Sequence, residues 1–200
     1  MIDVCGRFML DVEFQDIIEH YRITGSGVVF RRAPEIFPMN EALVIHGGER
    51  RELSEMRWGF PNPYGKNRII NARSETVAAK PLFRDAFRRR RCLIPANGFF
   101  EWQKREGRNV KYRIGLPDYS LFSLAGLYGN FPAADGSLFP AFTIITTTAT
   151  AALSPIHDRM PLIIPPADEA LWLGGSPSDS NAATALLRPF TGELIVRPES

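Results

Sequence analysis

The sequence predicts an α+β fold in one domain, built around a strongly curved and mostly antiparallel β-sheet. Strand-like runs outnumber helical ones, they follow one another along the chain, and turn residues such as Pro95, Gly107, Pro117 and Gly136 separate them. The 200 residues contain no internal repeat and no linker long enough to divide them. A chain of this size buries roughly 70% of its unfolded surface, which is enough for one core.

The first half of the chain predicts two helices and a hairpin. Apolar residues recur every three or four positions over residues 11–21, which predicts a short amphipathic helix that begins at Asp11 as N-cap. The apolar run 42–46 and the stretch 52–58 flank Gly47-Gly48, a pattern typical of a hairpin. A second helical pattern covers residues 74–89.

Most predicted strands lie in the second half of the chain. They cover residues 92–95, 98–103, 110–116, 121–127 and 141–148. Two short helices at 167–173 and 181–187 and a last strand at 193–197 complete the predicted elements.

Composition and charge exclude several classes of protein. With 24 basic and 22 acidic side chains, bulk charge does not indicate a nucleic-acid binder, so any such role depends on a local patch. No apolar run approaches the roughly 20 residues that span a bilayer, and no signal peptide precedes the first helix. The two cysteines and three scattered histidines form no metal-ligand spacing, so we expect a cytoplasmic protein without metal or cofactor.

Cys5 lies close to the start of the chain, in the tetrad Cys5-Gly6-Arg7-Phe8. If residues 1–4 are absent from the mature protein, Cys5 carries an α-amine and a thiol on adjacent carbons. These groups titrate at about pH 8 and about pH 8.5, so each offers a nucleophilic fraction at neutral pH. Such a 1,2-aminothiol converts an aldehyde first to an imine and then to a five-membered thiazolidine. The alternative is a small buried residue in an N-terminal strand.

A polar motif, Asn71-Ala72-Arg73-Ser74-Glu75-Thr76, stands between the apolar pair Ile69-Ile70 and a predicted helix. At such a strand-to-helix transition, backbone amides and side chains can converge on an anion. Arg73 offers a planar fork of donors suited to phosphate. Alternatively, Ser74 caps the helix and Arg73 is solvated.

Glu101 is flanked by Phe99, Phe100 and Trp102 in a predicted strand. A carboxyl group among aromatic rings loses hydration, so its pKa is expected to rise toward the range useful for proton transfer. Alternation along the strand equally allows Glu101 to face solvent, with Phe100 and Trp102 on the opposite face.

Two further features concern His157 and the basic runs. His157 lies in a loop two residues before Arg159, where it can exchange a proton near neutral pH or simply be solvated.

The basic runs 31–32, 50–51 and 88–91 usually indicate solvated faces. With exposed aromatic residues they could instead line a groove for a single strand, and the aromatic candidates are Trp58, Phe60, Tyr64 and Phe100.

In order and spacing, these motifs together resemble the SRAP family, the SOS-response-associated peptidases. The resemblance runs from Cys5 to about Leu162 and weakens toward the C-terminus. Six segments carry it: Cys5-Gly6-Arg7-Phe8, Arg57-Trp58-Gly59-Phe60, Asn71-Ala72-Arg73-Ser74-Glu75-Thr76, Arg91-Cys92-Leu93-Ile94-Pro95, Gly98-Phe99-Phe100-Glu101-Trp102 and His157-Asp158-Arg159-Met160-Pro161.

The resemblance implies a curved β-barrel flanked by helices, with a positively charged groove for single-stranded DNA. Family members capture abasic sites as a thiazolidine between the N-terminal cysteine and the ring-opened sugar aldehyde. By motif, Cys5 would be the nucleophile and Asn71 would position it and the sugar. Glu101 and His157 would transfer protons.

The resemblance also implies which residues contact DNA, namely Arg7, Arg73, Arg159, Trp58 and Phe60. The expected partner is single-stranded DNA that contains abasic sites, and the expected state is a monomer in the bacterial cytoplasm, associated with the nucleoid when bound to DNA. No membrane association is expected.

The family's cysteine normally follows the initiator methionine, whereas here four residues precede it. An amide-blocked Cys5 would form at most a weak hemithioacetal. Either Val4 is encoded by GTG and is the true start, or the segment is cleaved after translation. We therefore expect a single domain over residues 1–200, with residues 1–4 absent from the active form.

Three functions compete at this point. The first is covalent capture of abasic sites, with strand cleavage by β-elimination as a further activity. The second is a cysteine peptidase or self-processing hydrolase, in which Cys5 attacks a peptide carbonyl, His157 is the base and Asn71 orients it. The third is a non-catalytic module that binds single strands.

Overall fold

The structure is a computed structural model that describes residues 5–24, 27–48, 50–105, 107–118, 120–174 and 177–199. Its elements in chain order are β1 (Phe8–Leu10), α1 (Phe14–Tyr21), β2 (Ala33–Ile36), β3 (Glu41–His46), β4 (Glu52–Trp58), β5 (Asn71–Arg73), α2 (Pro81–Arg89), β6 (Arg91–Ala96), β7 (Gly98–Arg105), β8 (Arg108–Gly115), β9 (Phe122–Pro132), β10 (Leu138–Thr148), β11 (Arg159–Pro161), β12 (Ile163–Ile164), a 3₁₀ turn (Pro166–Asp168), α3 (Glu169–Leu173), α4 (Pro177–Thr184) and β13 (Ile195–Pro198). No helix in these ranges is both long and apolar enough to cross a membrane.

Five of the strands close into a barrel. The antiparallel pairs are β4 with β3, β3 with β6, β6 with β9 and β9 with β10. A parallel pairing of β10 with β4 closes the ring. The short strand β5 also runs parallel beside β10, and β11 and β12 extend the sheet at β10 and β9. The predicted α+β fold with a curved, mostly antiparallel sheet is confirmed.

A second sheet brings the N-terminus to the site. Its strand order is β13-β8-β7-β1-β2, and all of its pairings are antiparallel. Phe8 lies opposite Phe99, and the backbone N–H of Phe100 donates to the carbonyl of Arg7. This register places the chain just before β1 beside the middle of β7.

Trp58 packs at the junction of the two sheets. Its ring contacts Phe8 edge-on, with centroids 5.2 Å apart, and stacks on Phe142 at 6.2 Å. The indole N–H donates to the carbonyl of Ile70 at 3.0 Å, which satisfies its one polar group inside the core. Trp58 therefore fixes the segment that leads into β5.

Two predicted helices begin later than expected. The first begins at Phe14, because Glu13 and Asp16 form a capping box that replaces Asp11 as the cap. The second begins at Pro81 rather than at residue 74. Proline favours the first helical position and keeps the preceding residue extended, so residues 74–80 form turns instead of helix.

The expectation that the basic run 88–91 is solvated is wrong for Arg91, which is buried. Its side chain is 3% exposed, and its guanidinium donates to the carbonyls of Phe87 and Trp172 at 2.6 Å and to that of Gly174. These carbonyls belong to the C-terminal ends of α2 and α3, where the last helical carbonyls lack partners of their own. Arg91 thus links both helix ends to β6.

Candidate active site and groove

Cys5, just before β1, and Glu101, on β7, meet in a buried contact. The backbone N–H of Cys5 donates to Oε1 of Glu101 at 2.8 Å. Cys5 is 0% exposed and Glu101 is 1% exposed, so the alternative of a solvent-facing Glu101 is wrong. Cys5 also has a left-handed backbone with φ of 47°, an uncommon conformation for a residue with a side chain.

The surroundings of this pair keep both side chains neutral. Burial raises the pKa of Glu101 to about 8, the hydrogen bond from Cys5 opposes the rise, and the negative charge of Asp158 adds to it. Burial also raises the pKa of the Cys5 thiol, and the carboxylate form of Glu101 raises it further. At neutral pH Glu101 is therefore mostly a carboxylic acid that can donate a proton.

The His157 segment lies against β7. The side chain of Gln103 donates to the carbonyl of Pro155 at 2.7 Å, which ties the segment to the strand that carries Glu101. Nδ1 of His157 accepts the backbone N–H of Arg159 at 3.0 Å and also lies 3.0 Å from a carboxylate oxygen of Asp158. The first contact suits the neutral ring and the second suits the protonated ring, so both states have a partner.

A basic groove opens where β5, β10 and β11 run side by side. Its volume is about 290 Å³, and its lining residues are Arg68, Ile69, Ile70, Asn71, Arg73, Thr146 and Arg159. In the parallel register Asn71 lies beside Ile144 and Arg73 beside Thr146. Asn71 and Arg73 are two positions apart on β5, so they share a face.

A second depression of about 500 Å³ shares Ile69, Asn71 and Arg73 with the basic groove and adds Tyr64 and Lys80. Because the lining is shared, the two are continuous. The structure therefore brings Asn71, Arg73 and Arg159 to one surface and Cys5 to Glu101. The segment from His157 to Arg159 joins these two groups, because the charge of Asp158 acts on Glu101 while Arg159 lines the groove.

The structure places Trp58 and Phe60, which were predicted to contact DNA, inside the core. Their side chains are 0% and 2% exposed, so neither offers a ring face to a base. Phe100 is also buried, with the ammonium of Lys111 4.1 Å from its ring centroid. Of the four aromatic candidates, only Tyr64 is open, at 91% exposed, and it stands at the groove.

Arg7 lies on the opposite face of β7 from Glu101. Its guanidinium is 4.2 Å from the ring centroid of Phe37 and 4.7 Å from that of Trp102, and it donates to Glu35 at 2.9 Å. The aromatic rings and the carboxylate hold this cation in a defined position that does not line the basic groove.

The structure adds Arg68 to the predicted cations. Its Nη1 is buried without a hydrogen-bond partner among the described residues, and its guanidinium lies 5.3 Å from the ring centroid of Phe139. Arg68 lines the groove together with Arg73 and Arg159, and no local sequence pattern identified it. Within the described ranges, no three His, Cys, Asp or Glu side chains are close enough to hold a metal ion.

Comparison with known proteins gives one family and one fold. The model of the family "SOS response associated peptidase (SRAP)" matches residues 4–199. The "Abasic site processing protein YoqW" of Bacillus subtilis is 35% identical over 199 residues, which cover 95% of this chain and 89% of that protein. The "Abasic site processing protein HMCES" of Xenopus tropicalis is 30% identical over 169 residues, which cover 70% of this chain and 50% of that protein.

Solved structures share the fold at lower identity. A crystal structure of a Bordetella bronchiseptica protein has a TM-score of 0.83 at 23% identity and covers 98% of this chain and 100% of that chain. One from Bacteroides thetaiotaomicron has the same TM-score and identity, with coverages of 97% and 91%.

Proposed function

The chain belongs to the SRAP family, and from this premise we propose that it captures abasic sites in single-stranded DNA as a thiazolidine formed by Cys5. Its relatives carry the name of abasic site processing proteins, which supports the reaction class. The observation that carries the proposal is the buried contact between the backbone nitrogen of Cys5 and Glu101, whose pKa is raised to about 8. In the proposed active form, residues 1–4 are absent and this nitrogen is a free α-amine.

The proposed reaction balances with the release of one water molecule. The α-amine nitrogen of Cys5 adds to C1′ of the open sugar to give a carbinolamine. The acid form of Glu101 protonates the hydroxyl, water leaves, and an iminium ion remains. Sγ of Cys5 then adds to the same carbon, and the carboxylate of Glu101 takes the thiol proton. Glu101 is thereby regenerated, and C1′ is bonded to both nitrogen and sulfur.

His157 is assigned to opening the sugar. Closed abasic deoxyribose must gain a proton at its ring oxygen and lose one from its C1′ hydroxyl before the aldehyde appears. A histidine ring that has partners in both protonation states suits such an exchange.

The basic groove is assigned to the DNA strand. Arg68 and Arg73 form no ion pair with any described residue, so no carboxylate among those residues competes with a phosphate for them. Asn71 lines the same groove beside β10, in a position to hold the sugar. The exposed ring of Tyr64 suits stacking on a base, which is tolerant of sequence because every base has a flat face.

A cysteine peptidase is the weaker alternative. A cysteine nucleophile requires a thiol pKa lowered by nearby positive charge. The pKa of the Cys5 thiol is instead raised, first by burial and then by Glu101. The same neutral thiol is adequate for adding to an iminium ion, which is a far stronger electrophile than a peptide carbonyl.

The proposal is tested with natively expressed protein and matched oligonucleotides with and without one abasic site. We expect a band that survives heating in denaturant with the abasic strand alone, and an intact mass equal to the sum of both components minus one water. The mass of the free protein should show Cys5 as the first residue. Salt-sensitive binding that is indifferent to the lesion, with no stable band, would contradict the proposal.

The Arg73→Ala variant should bind undamaged single strands about tenfold more weakly, because a charge-assisted contact with phosphate is lost. The slope of log K against log salt should fall by about one counterion, and Arg73→Lys should restore only part of the affinity. Fluorescence anisotropy at several salt concentrations measures both quantities. Arg89→Ala is the control, because Arg89 is an exposed helix residue paired with Asp85. Equal losses of affinity in Arg73→Ala and Arg89→Ala would indicate that the DNA strand does not bind in the basic groove.

A further inference from the structure

Glu75 is the one acidic residue that contacts an arginine of the basic groove within the described part of the chain. Both oxygens of its carboxylate accept from Arg159, Nη1 to Oε1 and Nη2 to Oε2, the latter at 3.0 Å. Arg159 also donates from Nη2 to the carbonyl of Thr146 at 2.7 Å. Hydrogen bonding to Arg159 lowers the pKa of Glu75, so the carboxylate stays charged at all physiological pH values.

This arrangement uses the donors that a phosphate would need. A guanidinium binds phosphate best through two parallel N–H bonds from one edge, and Glu75 occupies that geometry on Arg159. The side chain of Arg159 is only 14% exposed, whereas that of Glu75 is 48% exposed. The carboxylate can therefore swing out into solvent more easily than the arginine can turn toward a second partner.

We propose that Glu75 acts as a resident phosphate mimic that occupies Arg159 and weakens reversible binding of single strands, so that Glu75 is a specificity-determining residue of the groove. This inference rests on the proposed function of the groove. A strand that enters must displace the carboxylate from Arg159 or accept its repulsion. Undamaged DNA then dissociates readily, while an abasic strand is retained because it forms covalent bonds at Cys5.

The expected sign of a mutational effect separates this role from a structural one. If Glu75 only braced Arg159, its loss would loosen the arginine and weaken DNA binding. If Glu75 competes with phosphate, its loss frees the guanidinium and strengthens binding. The salt dependence of binding should also become steeper, because one further arginine then neutralises a phosphate and displaces a counterion from the DNA.

The test compares Glu75→Gln with wild type in binding of an undamaged fluorescent oligothymidylate, by anisotropy over a range of salt concentrations. We expect about three- to tenfold tighter binding in the variant, in line with the loss of one partly exposed ion pair and its repulsion. The salt slope should steepen by about 0.7, the value for one phosphate on a single strand. Glu75→Asp keeps the charge and should stay close to wild type.

Glu41→Gln is the matched control, because Glu41 is an exposed glutamate paired with Arg57 at 3.8 Å outside the groove and its loss changes net charge equally. Weaker binding in Glu75→Gln, or a gain no larger than that of Glu41→Gln, would overturn the inference. These outcomes are separate from the proposed function, which fails only if the wild-type protein makes no stable adduct with abasic DNA.

Discussion

Replacing Cys5 with serine is expected to abolish the heat-stable adduct with abasic single-stranded DNA while reversible DNA binding persists. Serine keeps the α-amine, so an imine still forms. Its hydroxyl is a much poorer nucleophile than a thiol, so the ring does not close and the imine hydrolyses on heating. Denaturing electrophoresis after heating measures the stable adduct, and borohydride trapping should still capture the imine in the serine variant.

Cys92 provides the matched control for this experiment. It is the other cysteine of the chain, and it is fully buried against Gly126, where an added Cβ would lie 3.0 Å from its sulfur. Cys92→Ala should lower the free energy of unfolding by about 1 kcal/mol and leave adduct formation intact. Undiminished stable adduct in Cys5→Ser, or its loss in a folded Cys92→Ala, would remove the thiazolidine assignment.

Replacing Glu101 with glutamine is expected to slow adduct formation by about 10²- to 10³-fold, because a positioned acid–base group is lost. The pH profile should identify the residue. For wild type, the rate should rise with pH as the α-amine loses its proton. It should fall again once Glu101 ionises and can no longer protonate the leaving hydroxyl. Glutamine does not titrate, so the variant should lack the falling limb.

Glu169→Gln serves as the control for Glu101. Glu169 is also buried, at 3% exposed, but it is hydrogen-bonded to Ser123 and Arg51. Its replacement should lower the melting temperature and preserve both the rate per folded molecule and the shape of the pH profile. A wild-type rate in Glu101→Gln, or an unchanged falling limb, would show that another group supplies the proton. Single-turnover rates at saturating DNA give both comparisons.

Local sequence patterns predicted eight of the thirteen strands that the structure describes, including the hairpin, because each of these depends on residues that are neighbours in the chain. They also identified Glu101 as a candidate acid, since three aromatic residues flank it. Which way its side chain faces depends on β1, a strand of three residues that no periodicity reveals. Its pairing with β7 covers the inner face of Glu101 and brings Cys5 to it.

The errors share a physical cause, which is packing between distant segments. Trp58 looked like an exposed stacking residue, but the contact of the two sheets encloses it. Arg91 looked like part of a solvated run, but the ends of two helices meet around it and supply carbonyl partners. In both cases a large side chain is buried because its polar group finds a backbone carbonyl that only the folded chain provides.

The parallel closure of the barrel has a consequence for synthesis of the chain. The edge of β4 at Arg57 and Trp58 pairs with Ala141 and Phe142, which the ribosome makes much later. Until then β4 has an open edge that can pair with other chains, and the late, non-local contact slows folding. The nascent protein therefore passes through an interval in which aggregation competes with closure, and mutations that weaken β10 should reduce soluble yield before they reduce the stability of the finished fold.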